Sequence, residues 1–158
     1  MKKDINKIVK KILNKYSDIS FLEGKKFGIP REIILAIIAQ ESGGEPNIRG
    51  SSGEYGLMQL MPDTGKEIAK ELHFSLNSLE DLFDPMINIK FGTYYLSKMK
   101  KMCADAKDKD PFNYLAAYNG GFGRREKSIC QEYKLKVLAW YKEFLKGEGP
   151  EKIGEVKK

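Results

Sequence analysis

A chain of 158 residues fits one compact domain that buries about 68–70% of its unfolded surface, enough core to fold without a metal or cofactor. Charged residues make up 32% and hydrophobic residues 41%, with no run of about eighteen apolar residues, which excludes a membrane-spanning helix. The formal net charge of +6 favours polyanionic partners such as nucleic acid, anionic lipid or the bacterial cell wall. The lysines are spread without arginine clusters or aromatic interleaving, which argues against a dedicated nucleic-acid binder.

Ile5, Ile8, Val9, Ile12, Leu13 and Tyr16 recur at three- and four-residue steps. They write an apolar stripe on a first helix whose lysine face is read as solvated rather than as lying on a membrane. Those lysines also interrupt the opening where a secretory signal would be continuously apolar, so no export signal is read there and a trimmed leader or another delivery route is expected. Pro30 is expected at the first position of a second helix, buried through Ile33 to Ala39, closed by Gln40 and Glu41 and stopped by Gly43-Gly44. From Glu45 to Tyr55 the periodicity vanishes, which predicts a loop or small irregular lobe with room for a short hairpin.

Pro62-Asp63-Thr64 opens a helix through Leu72, and Asp84-Pro85 opens another carrying Ile87, Phe91, Tyr94, Tyr95 and Met99. Asp63 and Asp84 are read as helix-start residues rather than catalysts. A short helix runs from Phe112 to Tyr118, cut off by Gly120-Gly121, and a last one from Lys127 to Leu145. The expected architecture is mainly α with at most a small β element: one domain over residues 1–146, then a polar, flexible tail over 147–158. Cys103 and Cys130 form no CxxC pair and have no metal-ligand spacing to the lone His73, so no metal or cofactor is expected; the two are open to a disulfide in an oxidising compartment or to remaining buried free thiols, the preferred reading.

Glu41 is the first candidate for chemistry. A carboxyl at the C-terminal end of an apolar helix loses hydration and feels the helix's partial negative charge, and both effects favour the protonated acid. Glycosidic cleavage needs such an acid, because the leaving oxygen takes up a proton as the bond breaks. The alternative is a glutamate that reaches solvent past the helix end.

Glu41-Ser42-Gly43, Gly56-Leu57-Met58-Gln59-Leu60-Met61-Pro62, Ala117-Tyr118-Asn119-Gly120-Gly121 and Tyr133 ahead of Val137-Leu138 follow one another in order. Together with Asp84-Pro85 and Asn88-Ile89 they resemble the motifs of the lysozyme-like lytic transglycosylase family over about residues 20 to 145. The resemblance implies a lysozyme-like fold and an enzyme acting on the glycan strands of peptidoglycan, periplasmic, extracellular or phage-delivered; its small size alone makes a monomer the expectation. It implies that Glu41 protonates the bond between N-acetylmuramic acid and N-acetylglucosamine and then acts as base while the 6-hydroxyl closes onto C1. The product would be a 1,6-anhydro sugar.

Within these motifs Gln59 offers an amide to acetamido or hydroxyl groups, and Met58 an apolar wall to a sugar face. Leu57, Leu60 and Met61 are read as core. Tyr118 and Tyr133 have rings to line a saccharide groove and hydroxyls to orient Glu41, and Asn119 is a further substrate-binding candidate.

Two positions depart from the family pattern. Many members carry a serine nine residues after the glutamate, where this chain has Gly50, with Ser51 and Ser52 as candidate substitutes. Glu54 stands where many members have a small residue. Facing the groove, it would be a second carboxylate for a hydrolytic muramidase on the same scaffold; facing solvent, an ordinary loop glutamate. A non-catalytic glycan-binding or assembly module is the third reading, against which the intact Glu41 argues.

Overall fold

The computed structural model describes residues 1–147, and the expected tail beyond Gly147 lies outside the described residues. Six α-helices follow in order: α1 (Lys2–Phe27), α2 (Arg31–Ser42), α3 (Pro62–Glu71), α4 (Pro85–Asp105), α5 (Asn113–Gly120) and α6 (Ser128–Lys146). Short 3-10 turns at Leu79–Phe83 and Phe122–Arg124 join them. The β content among the described residues is two isolated antiparallel bridges, Arg49 with Tyr55 and Tyr55 with Leu60.

α2 is the axis of the molecule. Its residues Ile33 to Ala39 are all buried, because α1 covers one side of the helix and α6 another. Truncating any of its fully buried isoleucines to alanine would cost about 2–5 kcal/mol. The helix runs to Ser42 and stops where Gly43 takes the left-handed conformation, φ 61°, and donates its N–H to Ala39 O. Pro30 precedes the helix rather than opening it: its ψ of 135° is extended.

α1 is longer than its isoleucine stripe. The helix continues through buried Ser20, Glu23 and Gly24, where no apolar period marks it, because a side chain at position 24 would collide with the Ile29 carbonyl. Close packing of small groups replaces the stripe there.

Two apolar clusters result. The larger gathers α1, α2, α5 and α6 around Ile12, Ile34, Leu115, Val137 and Phe144. The smaller holds the irregular lobe, with Tyr55, Leu60, Ile68, Leu82 and Phe91. α4 serves both, since Ile89, Leu96 and Met99 face the first while Phe91 faces the second. Asp84 begins α4 as expected, its carboxylate accepting the N–H groups of Met86 and Ile87 at 2.8 and 3.2 Å. Tyr95 packs against both clusters, and a cleft opens where they meet.

Candidate active site

The cleft has a volume of about 460 Å³. Its helical wall comprises Glu41 at the end of α2, Tyr95 on α4, and Tyr118 to Gly121 at the end of α5; its loop wall comprises Gly50, Ser51, Glu54, Gln59, Leu60 and Met61, with Thr64 beside it in the first turn of α3. Residues distant in sequence meet here because α2, α4 and α5 end or pass at the seam between the two apolar clusters.

Glu41 accepts one side-chain hydrogen bond among the described residues, from Tyr133 Oη at 2.6 Å. Tyr133 is buried on α6, behind Glu41 rather than on the groove. The Glu41 carboxyl is pushed up from 4.5 to about 7, first by loss of hydration and further by the charge of Glu54, while the Tyr133 hydrogen bond pulls it down. It therefore keeps a proton in a large share of molecules at neutral pH.

Tyr118 does not orient Glu41. Its hydroxyl donates to the Met58 carbonyl at 2.7 Å, while its ring packs at 5.4 Å against Tyr95. The bond ties the helical wall to the loop wall. Burial and the nearby Glu41 push the Tyr118 phenol well above its ordinary value, so it serves as a donor at any working pH.

Met58 and Met61 exchange the places expected of them. Met58 is fully buried, its sulfur filling the space left by Gly92 on α4, so it presents no wall to a sugar. Met61 is 43% exposed and lines the cleft. The loop turns twice, with Gly56 at φ 73° before Met58 and Gln59 at φ 50° between the two methionines, and no two-residue or helical period survives such turns.

Left-handed backbone at a non-glycine residue costs on the order of 1 kcal/mol, and Gln59 offsets it with its own side chain. Its amide nitrogen donates to Gly56 O at 2.8 Å and Ile48 O at 3.3 Å. The expected donor is thus used inside the loop, and the Oε1 acceptor remains on the cleft side near Gly50.

Asn88 escaped site reading as an individual residue, although it belongs to the family pattern. Fully buried on α4, it accepts the Met58 N–H at 2.8 Å. It donates to Tyr55 O at 2.8 Å and Leu82 O at 2.7 Å. One amide thereby satisfies three buried backbone groups of the loop wall.

Asn119 is exposed at the rim with no side-chain hydrogen bond among the described residues, which leaves its amide open to the groove. Ser51 lines the cleft, whereas Ser52 contributes its backbone N–H to Glu54. Neither serine hydrogen-bonds Glu41 among the described residues. Glu54 is half-buried in the loop wall rather than pointing to solvent.

Among the described residues no group of three or more His, Cys, Asp and Glu is placed to hold a metal ion. Cys103 and Cys130 are buried free thiols. Among the described residues no helix is long and apolar enough to cross a membrane.

The family described as Transglycosylase SLT domain matches residues 18–140. The chain is 31% identical over 140 residues to membrane-bound lytic murein transglycosylase E of Buchnera aphidicola subsp. Acyrthosiphon pisum, covering 83% of this chain and 61% of that protein. It is 40% identical over 124 residues to endo-type membrane-bound lytic murein transglycosylase A of Enterobacter sp., covering 75% of this chain and 61% of that protein. The 70 kDa soluble lytic transglycosylase SLT70 of Escherichia coli superposes with a TM-score of 0.75 at 27% identity over 85% of this chain and 24% of that one. The chain thus spans about three fifths of these two curated relatives, and its helical, lysozyme-like fold matches that of the solved SLT70 structure. On the match to residues 18–140 and these likenesses, the chain belongs to the transglycosylase SLT domain family.

Proposed function

We propose that this protein is a peptidoglycan lytic transglycosylase in which Glu41 is the single general acid and base. The observation that carries the proposal is a carboxyl held near neutral proton affinity in a cleft, with its orientation fixed by Tyr133. The printed names of the relatives, lytic murein transglycosylases, support the reaction and the substrate.

Glu41 gives its proton to the glycosidic oxygen of the bond from N-acetylmuramic acid to N-acetylglucosamine. The bonding pair leaves with that oxygen as C1 becomes electron-poor, and acetamido participation stabilises C1. The Glu41 carboxylate then accepts the proton of the muramic acid 6-hydroxyl as O6 bonds to C1, which restores the acid and yields the 1,6-anhydro sugar. A carboxyl poised near 7 serves both halves of this cycle. Asn119, Gln59 Oε1 and the Tyr95 and Tyr118 rings are the groups available to hold the glycan strand. The protein acts as a monomer on the bacterial cell wall.

Glu41→Gln tests the assignment. Activity on purified peptidoglycan is expected to fall about a thousandfold or more, without loss of stability. The folded carboxyl holds its proton to about 7, whereas the unfolded chain releases it near 4.5. Wild-type stability therefore falls as pH rises across that window and levels above it, and the glutamine variant escapes this fall. Retained lysis by a folded Glu41→Gln protein would remove Glu41 from the mechanism.

A further inference from the structure

The loop wall contains an arrangement that the proposed reaction leaves unused. Gly50 N–H donates to Glu54 O at 2.9 Å and Gly53 N–H to Gly50 O at 3.0 Å, which closes a tight turn. The Glu54 side chain folds back over it, and its Oε2 accepts the Ser52 N–H at 3.0 Å. A Cβ on residue 50 would stand 2.5 Å from Gln59 Oε1 and closer still to Glu54 Oε2. The carboxylate therefore occupies space that exists only because residue 50 is glycine.

No cation among the described residues is paired with Glu54. Its neighbour Arg49 is engaged elsewhere, with its guanidinium 3.9 Å from the Tyr55 ring centroid and its Nε donating to Gly53 O at 3.2 Å. The ionisable groups that face Glu41 are Tyr133 from α6, Tyr118 from α5 and Glu54 from the loop. None of them is basic.

We propose that Glu54, seated over Gly50 in the same cleft that Glu41 lines, is a positioning residue whose negative charge acts on Glu41 across that cleft. The proposal rests on the reading of Glu41 as the acid, and it gives the Gly50–Glu54 pair a joint role that neither residue has alone. A second negative charge in one cleft disfavours ionisation of the first. Burial does the larger part and Glu54 adds to it. After bond cleavage the same charge makes Glu41 the more avid base for the 6-hydroxyl proton.

The test is a carbon-13 NMR titration of the Glu41 carboxyl in the wild type, Glu54→Gln and Gly50→Ala, with the rate profile recorded alongside. Both single variants should lower the Glu41 midpoint by about half a pH unit. The double variant should lower it no further than Glu54→Gln alone, since Gly50→Ala acts by displacing the same carboxylate. The alkaline limb of kcat/KM should move down in step. Glu54→Ala guards against a new hydrogen bond made by the introduced amide. An unchanged Glu41 midpoint in folded Glu54→Gln and Glu54→Ala proteins overturns the proposal. A midpoint that moves while the rate profile stays fixed leaves the link between the two carboxyls standing and overturns Glu41 as the acid, so the two failures are separable.

Discussion

The helix packed behind the helical wall of the cleft and the loop wall have opposite effects on the same proton. Tyr133, on α6, stabilises the ionised form of Glu41 through its hydrogen bond, whereas Glu54, in the loop, disfavours that form through its charge. The walls also differ in construction. The helical wall stands on apolar side chains packed at helical spacing, as in the buried run of α2. The loop wall stands on backbone groups satisfied by three side chains, Asn88, Gln59 and Tyr118. One wall is held by area removed from water and the other by directed hydrogen bonds, so they should fail in different ways.

The largest break is expected in the loop wall. Asn88→Ala would leave the Met58 N–H and the Leu82 carbonyl buried without side-chain partners, and the Tyr55 carbonyl with the Leu60 N–H alone. At about 1–3 kcal/mol for each unsatisfied group, a loss of about 2 kcal/mol or more should be read in denaturant unfolding. Asn88→Asp keeps an acceptor for Met58 but no donor, and should fall between alanine and wild type. A loss below 1 kcal/mol for the alanine variant would show that the loop wall is held by something else.

A smaller effect, opposite in sign to that of Glu54→Gln, sharpens the contrast. Tyr133→Phe removes the one side-chain hydrogen bond to Glu41 while keeping the ring that fills α6. The midpoint of Glu41 should rise and carry the alkaline limb of kcat/KM to higher pH, while the plateau rate drops about tenfold through lost orientation. A limb that moves down instead would mean that Tyr133 favours the neutral acid.

The difference between the walls also governs how much the sequence discloses. α4, α6 and the start of α1 are visible as apolar periods and α2 as a continuous apolar run, and Glu41 stands out because it ends that run. The loop wall obeys no period. Met58 and Met61 are therefore transposed in a reading by composition, since Gln59 at φ 50° turns the chain between them. The contact of Tyr133 with Glu41 spans 92 residues of sequence, and only the order of motifs hints at it. Asn88 looks like any polar residue in a helix until its three backbone partners are known. The departures at Gly50 and Glu54 are legible singly, but their relation is steric and becomes visible only when the carboxylate is seen over the glycine.

The central claim is that one carboxyl, alternating as acid and base, completes the reaction without water. Mass spectrometry of the muropeptides released from purified peptidoglycan tests it most directly. Fragments ending in 1,6-anhydro-N-acetylmuramic acid, lighter by one water than hydrolytic products, are the predicted result. Fragments ending in reducing N-acetylmuramic acid would contradict it, because water would then have attacked C1 and Glu41 could not be the only carboxyl at work.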